Sequence, residues 1–324
     1  MLIPLIQELK NSKLVKDFAE NGVLRMDNSM CTSWACIMKG LMSHALKLRP
    51  TGKNTLAMDY GTCIHAGLEQ LMLGRSIEDA QQSFLEAANE YKIDRWLDNR
   101  RCSTRGIDTI NLWNLFRATL MSPIQTLNCE VAGEVKPMVE LGVERVIHQT
   151  ERAKYIWIGR IDAVVSYKGK LWILDHKTTS MLGEKFLDDK MRSSQFLGYY
   201  YILNDYVREK FGQSLAGVLI NAICTGTKDI KFELYELPFN QWQIDEWKQD
   251  TIETLKSIGV VLSDIYGGYI TEVVPEREIC VTKYGRCPLF EVCSNVPAIR
   301  DNLLKGQYEA HDWNPHDNST ILSL

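Results

Sequence analysis

Two carboxylates and an ammonium group stand where strands should be apolar. "WILDHKTTS" covers residues 172 to 180, and its apolar start runs straight into Asp175, His176 and Lys177. Side chains alternate along a strand, so Asp175 and Lys177 share a face about 6.6 Å apart while His176 points to the other. Earlier in the chain, "GRIDAVV" carries Asp162 as the last residue of a G-x-x-D in an otherwise apolar run. If the two strands pair as a hairpin through a turn at Lys168–Lys170, the carboxylates of Asp162 and Asp175 approach one another. Their repulsion is relieved by protonation or by a divalent cation. A lysine beside them suits the stabilising or positioning of a nucleophilic water near a phosphate. The D-x-K triplet alone reads first as a same-face ion pair at a strand end. In the helix that follows, Gln195 and Tyr199 stand at i, i+4 on one face. In the strand before, Glu140 and Glu144 are four apart and are further acidic candidates for the same site.

The thiols form a second group. "ICVTKYGRCPLFEVC" spaces Cys280, Cys287 and Cys293 as C-x6-C-x5-C in an irregular segment, a pattern of ligands lacking a fourth. "CTSWACIMKG" offers Cys31 and Cys36 near the other end. Four thiolates suit an iron–sulfur cluster or a tetrahedral zinc ion, and unligated buried thiols are the third reading. Cys63, Cys102, Cys129 and Cys224 sit in or beside expected elements and read as core.

The elements that must position these groups follow from periodicity. The first 130 residues read mainly as helices: one through "NTLAMDYGTCIHAGLEQLML", with Ile64, Leu68, Leu71 and Met72 on one stripe, a second from a Ser76 cap to Leu97, and a third in "GIDTINLWNLFRATLM". Strand patterns then occupy residues 138–149, 155–167 and 170–178, with "YKGK" as a turn between the last two. A helix over 188–212, strands over 215–225 and 230–239 and a helix over 240–262 complete an α/β pattern, a mixed central sheet flanked by helices. Trp157 and Trp172 fall inside strands and read as core rather than as base-stacking platforms.

The chain has 324 residues, 45% hydrophobic and 24% charged, with a formal net charge of −4. It can bury a sizeable core, carries no run of about 18 apolar residues that would span a membrane, and shows no signal-peptide pattern at its start. These features predict a cytoplasmic protein. The acidic balance argues against a surface coated in positive charge, yet basic groups can still track phosphates locally. Arg100, Arg101 and Arg105, in the polar "DNRRCSTRG", are the candidates for that contact. Nine cysteines, an odd count in a long chain, predict reduced thiols or metal ligands rather than a disulfide framework.

The combination "GRIDAVV…LWILDHKTTS…QFLGYYYIL" resembles the core motifs of the RecB-type branch of the PD-(D/E)xK nuclease superfamily, and "YGTCIHAGLE" resembles that branch's histidine phrase. The resemblance runs from about residue 29 to residue 293. It implies a restriction-endonuclease-like core with a helical N-terminal part. It implies Mg²⁺ or Mn²⁺ held by His65, Asp162, Asp175 and the His176 backbone carbonyl, with Lys177 as the catalytic lysine and Gln195 and Tyr199 as the motif helix. A subgroup that includes AddB-type, CRISPR-associated and phage exonucleases closes its fold with a [4Fe–4S] cluster. By that resemblance Cys36, fourteen residues before Pro50, joins Cys280, Cys287 and Cys293 and staples the two ends of the chain. Zinc is the alternative occupant.

The domain layout expected is a helical region over 1–130 carrying Cys36 and His65, a nuclease core over 131–270, a cysteine-rich segment over 271–300 and a tail over 301–324. The expected activity is metal-dependent hydrolysis of DNA phosphodiester bonds, most simply by an exonuclease of recombination, repair or phage DNA processing. An endonuclease, an end-processing subunit and a catalytically idle DNA-binding module are the alternatives. The implied partners are DNA with a free end or single-stranded region, and a further copy of the chain or a recombination complex.

Overall fold

A computed structural model describes residues 3–51, 56–131, 133–226, 229–276, 278–282, 285–310 and 321–324. Two compact units emerge. One comprises Met1–Gly52, Glu144–Ile158 and Asp245–Asp317, and the other Lys53–Val143, Gly159–Ile244 and Asn318–Leu324.

The second unit begins with three helices, α1 (Leu56–Met72), α2 (Ile77–Glu90) and α3 (Ser103–Thr119). Ser76 caps α2 through a reciprocal pair, its hydroxyl accepting from the Asp79 N–H while the Asp79 carboxylate accepts from the Ser76 N–H. The helix expected to reach Leu97 stops at Glu90. Lys92 turns left-handed, a short 3₁₀ turn covers Ile93–Trp96, and Asp94 accepts from both the N–H and the hydroxyl of Ser103 at the start of α3. The acid that would have continued one helix thus serves the start of the next.

Five long strands follow: β1 (Val139–Gln149), β2 (Lys154–Tyr167), β3 (Lys170–Thr179), β4 (Leu215–Thr225) and β5 (Ile230–Pro238). The sheet order is β5-β4-β3-β2-β1, with Ile321–Ser323 beyond β1 and the short strands Val23–Met26 and Gln125–Thr126 both on β2. β2 and β3 are antiparallel, β3 and β4 parallel, and β4 and β5 antiparallel. The sheet is therefore mixed, as the alternating pattern predicted. Lys168 and Gly169 both take positive φ, the two-residue turn that matches the twist of a hairpin. Residues 171–176 of β3 are all buried, the mark of a strand covered on both faces.

Between β3 and β4 the single expected helix is two, Glu184–Met191 and α4 (Ser194–Phe211), because Ser193 is extended. The core of this unit packs α1, α2 and α3 over Ala163, Val165, Trp172, Leu174, Leu219 and Ile223. The helices approach closely: a methyl group on Gly106 would collide with the Phe84 ring, which is fully buried.

In the first unit, Val23–Met26 runs parallel to Lys154–Trp157. The helix α5 (Gln241–Gly267) sets Trp247 edge-on to Trp157, with ring centroids 5.2 Å apart. Both Trp157 and Trp172 are core, as their strand positions predicted. Of the cysteines expected in the core, Cys63 and Cys129 are buried, but Cys102 and Cys224 are only half-buried, since they fall at the N-cap of α3 and near the end of β4. Among the described residues no helix is long and apolar enough to cross a membrane.

Phe84→Ala is expected to lower stability by about 3–5 kcal/mol through cavity formation in the three-helix core. Urea denaturation followed by circular dichroism measures it, and a loss under about 1 kcal/mol would contradict the close packing described.

Candidate metal centre and thiol cluster

The ladder between β2 and β3 runs from Tyr167 opposite Lys170 to Ala163 opposite Leu174. One residue further out a side chain takes over, and Asp162 Oδ2 accepts the His176 N–H at 2.7 Å. The same oxygen lies 3.4 Å from His65 Nδ1. His65 projects from α1, whose Gly61, one turn earlier, lies against β3. A methyl group there would come within 3.2 Å of the Thr178 hydroxyl. His65, Glu140 and Asp162 each offer one ligand atom, all within 4.8 Å of one another, and each is partly open to solvent.

Asp175 and Lys177 lie beside this group as an ion pair of 2.8 Å. Although they stand at the end of the strand, Asp175 is only 2% exposed. α4 covers them, with the Lys177 ammonium 5.7 Å from the centre of the Phe196 ring. Asp175 Oδ2 is buried without a hydrogen-bond partner among the described residues, an orphaned acceptor that a cation would satisfy.

Electrostatics follow from this crowding. Burial disfavours the His65 imidazolium, but the adjacent Asp162 carboxylate outweighs it and lifts His65 to about 9. Asp162 is itself buried, yet His65 and Lys177 hold it well below the usual carboxylate range. Burial, reinforced by Asp162, raises Glu140 to about 7. Asp175 is raised by burial against the pull of Lys177, and Lys177 is raised because Asp175 and Asp162 outweigh its burial.

His176 turns away from Asp175, as strand alternation predicted. Its Nδ1 lies 2.7 Å from the Asn221 side-chain nitrogen on β4, and its ring meets those of Trp113 and His65 edge-on. Burial lowers it to about 3, so it is a neutral ring that buttresses His65. Gln195 donates to the Tyr199 hydroxyl at 2.8 Å, one turn apart on α4. The Tyr199 ring leans on the strand at Gly159, where a Cβ would sit 2.7 Å from a ring carbon. The glycine of G-x-x-D and the tyrosine of the helix are thus halves of one contact.

Glu140 and Glu144 part company: Glu140 joins the metal-ligating group, while Glu144 pairs with Arg25 at 3.5 Å. The left-handed φ of 47° at Glu140 interrupts strand alternation, so spacing alone could not separate the two. Of the arginines expected to meet DNA, Arg100 and Arg101 pair with Asp98, and Arg105 donates to the Gly226 carbonyl just past the end of β4.

The thiols gather in the first unit. The Glu276 backbone bridges two of them, its N–H donating to Cys36 Sγ at 3.4 Å and its carbonyl accepting from Cys280 Sγ at 3.3 Å. The Cys287 N–H donates to the Cys280 carbonyl at 2.7 Å. Cys293 is raised to about 11 by burial, then by Cys287, Cys36 and Cys280. Cys36 therefore belongs with the three C-terminal thiols, while Cys31 lies in the field of Asp27.

Residues 34–294 match the family model of the PD-(D/E)XK nuclease superfamily. The match covers most of the chain and spans both the carboxylate and the thiol groups. The chain belongs to this superfamily. Among curated proteins nothing matches significantly. Among solved structures, the crystal structure of SSO0001 is similar over 77% of this chain and 84% of that chain, at 12% identity and a TM-score of 0.24, too low a score to carry weight.

A cation entering this group must displace the His65 proton, so Mn²⁺ affinity is expected to rise about tenfold per pH unit until pH passes about 9. Calorimetric titration across pH measures this, and a flat profile would rule out His65 as a ligand. Gly159→Ala, by pushing on Tyr199, is expected to cost about 1–3 kcal/mol of stability.

Proposed function

We propose that this chain is a Mg²⁺- or Mn²⁺-dependent DNA exonuclease of the RecB-type branch, with a structural [4Fe–4S] cluster. The observation that carries the reading is the convergence of His65, Glu140 and Asp162 beside a buried Asp175 with an orphaned oxygen. A bound divalent cation would lower the pKa of a water and neutralise charge on the scissile phosphate. His65, Asp162 and Asp175, with the His176 carbonyl, would hold it, and Glu140 would add a ligand that the motifs do not name. Lys177, charged and partnered with Asp175, is placed to orient the attacking water. Gln195 and Tyr199 brace the strand behind Asp162, and Arg100, Arg101 and Arg105 guide the phosphate backbone.

For the thiols, the Glu276 bridge between Cys36 and Cys280 and the Cys287 N–H on the Cys280 carbonyl support one shared ligand, and the family resemblance favours a cluster over a single zinc ion. A cluster there would tie together stretches of chain 244 residues apart, which also pair through Leu48–Pro50 and Tyr308–Ala310. The full set of acidic, lysine and histidine positions argues against an idle DNA-binding module. Action on a free end or single-stranded region, in recombination, repair or phage DNA processing, is the most economical role.

The test pairs anaerobically purified wild type with Asp175→Ala on end-labelled single- and double-stranded DNA plus Mn²⁺. Stepwise shortening from one end by the wild type, reduced at least about 10³-fold in the variant, is the expected result. Internal cuts would make it an endonuclease, and bound but intact DNA an idle module. Four irons and four sulfides per chain, lost in Cys36→Ala, are expected of the thiol site; zinc in their place would overturn the cluster alone.

A further inference from the structure

Arg160 lies between the glycine and the aspartate of G-x-x-D, two residues before Asp162. Its Nε sits 2.6 Å from Glu140 Oε2. This is a contact of opposite charges off the hydrogen-bonding line, since Nε has no aligned acceptor. The arginine is thus held by charge rather than by a directed bond. Its side chain is 40% exposed against 14% for Glu140, so much of the arginine is open to solvent beside the His65, Glu140 and Asp162 group.

The other cations at this site are committed. His65 lies against Asp162 and Lys177 against Asp175. A phosphodiester approaching Glu140, Asp162 and Asp175 meets three carboxylates, and its negative oxygens need a cationic partner with a free edge. A guanidinium fork matches two phosphate oxygens in one plane, which an ammonium cannot do. Glu69, one turn beyond His65 on α1, also feels Arg160 and steadies the arginine from the helix side. The left-handed backbone at Glu140 is the kind of strain retained where geometry serves a site; here it keeps one carboxylate between the arginine and the metal-ligating atoms.

We propose that Arg160 binds a backbone phosphate of the nucleic-acid substrate at the metal site, with Glu140 as the latch that aims it. The proposal rests on the nuclease reading above. Glu140, once it shares its charge with a cation, loosens its hold on Arg160, whose fork then turns to the phosphate. Metal loading and substrate binding become coupled through one carboxylate.

The experiment measures binding of a labelled single-stranded oligonucleotide to wild type, Arg160→Gln and Arg160→Lys with Ca²⁺ over a series of NaCl concentrations. The DNA is checked for integrity on a gel. Arg160→Gln should weaken binding about 10- to 100-fold and lower the slope of log affinity against log salt by about 0.7, the loss of one phosphate contact on a single strand. Arg160→Lys should keep the slope and recover part of the affinity. Calorimetry without DNA should find Mn²⁺ binding by Arg160→Gln at least as tight as in wild type, because Glu140 is released.

An unchanged salt slope with weakened Mn²⁺ binding would overturn the proposal and leave Arg160 as a positioning residue for Glu140. A wild type that does not bind the oligonucleotide would overturn it as well. Failure of the nuclease reading registers separately, as wild-type protein that shows the Arg160-dependent slope yet leaves DNA intact with Mn²⁺.

Discussion

A single carboxylate oxygen joins helix to sheet at the heart of the second unit. Asp162 Oδ2 takes the His176 N–H from β3 and faces His65 Nδ1 from α1. A largely buried carboxylate without such partners would cost several kcal/mol. The arrangement around it repeats the same solution, with each acid beside a cation: Asp162 with His65, Asp175 with Lys177, Glu140 with Arg160. The cluster is therefore neutralised from within and can fold before any metal arrives. A cation entering must compete with groups already in place, which makes its binding selective for pH and for charge.

Much of this was legible in the sequence because the chemistry is carried by local patterns on regular strands. Asp162, Asp175 and Lys177 sit where alternation and a two-residue turn put them, and His176 points away as its parity requires. Glu140 was a candidate together with Glu144, and what the sequence could not do was choose between them, since a left-handed residue breaks the alternation on which such readings depend. The burial of Asp175 was not legible either. A strand read alone does not reveal which helix will cover it, and here the Phe196 ring of α4 lies 5.7 Å from the Lys177 ammonium. Arg160 drew no notice because an arginine between two motif residues looks like a solvated side chain until its acidic neighbours come from β1 and α1.

The same limit applied to the helices. Cap residues located the start of α2 well, but its end depended on Asp94 being claimed by Ser103, a contact between elements rather than within one. The break before α4 falls at Ser193, which is extended and makes no side-chain cap. For the thiols, spacing identified three partners and resemblance chose the fourth. What draws Cys36 toward Cys280 is the Glu276 backbone between them, which no composition records.

That bridge has a consequence for how the protein is made. Glu276 and Cys36 are 240 residues apart, and the unit that contains them is assembled from three separate stretches of chain. At about 5–20 residues per second, synthesis would keep the N-terminal stretch waiting for roughly 12 to 50 s before its partners emerge. During that interval Cys36 and its apolar neighbours are exposed without their cover. The stretch around Cys36 therefore belongs to a unit that cannot be completed until residue 276 and beyond have been made, and its thiol stays open to oxidation and misassociation until then.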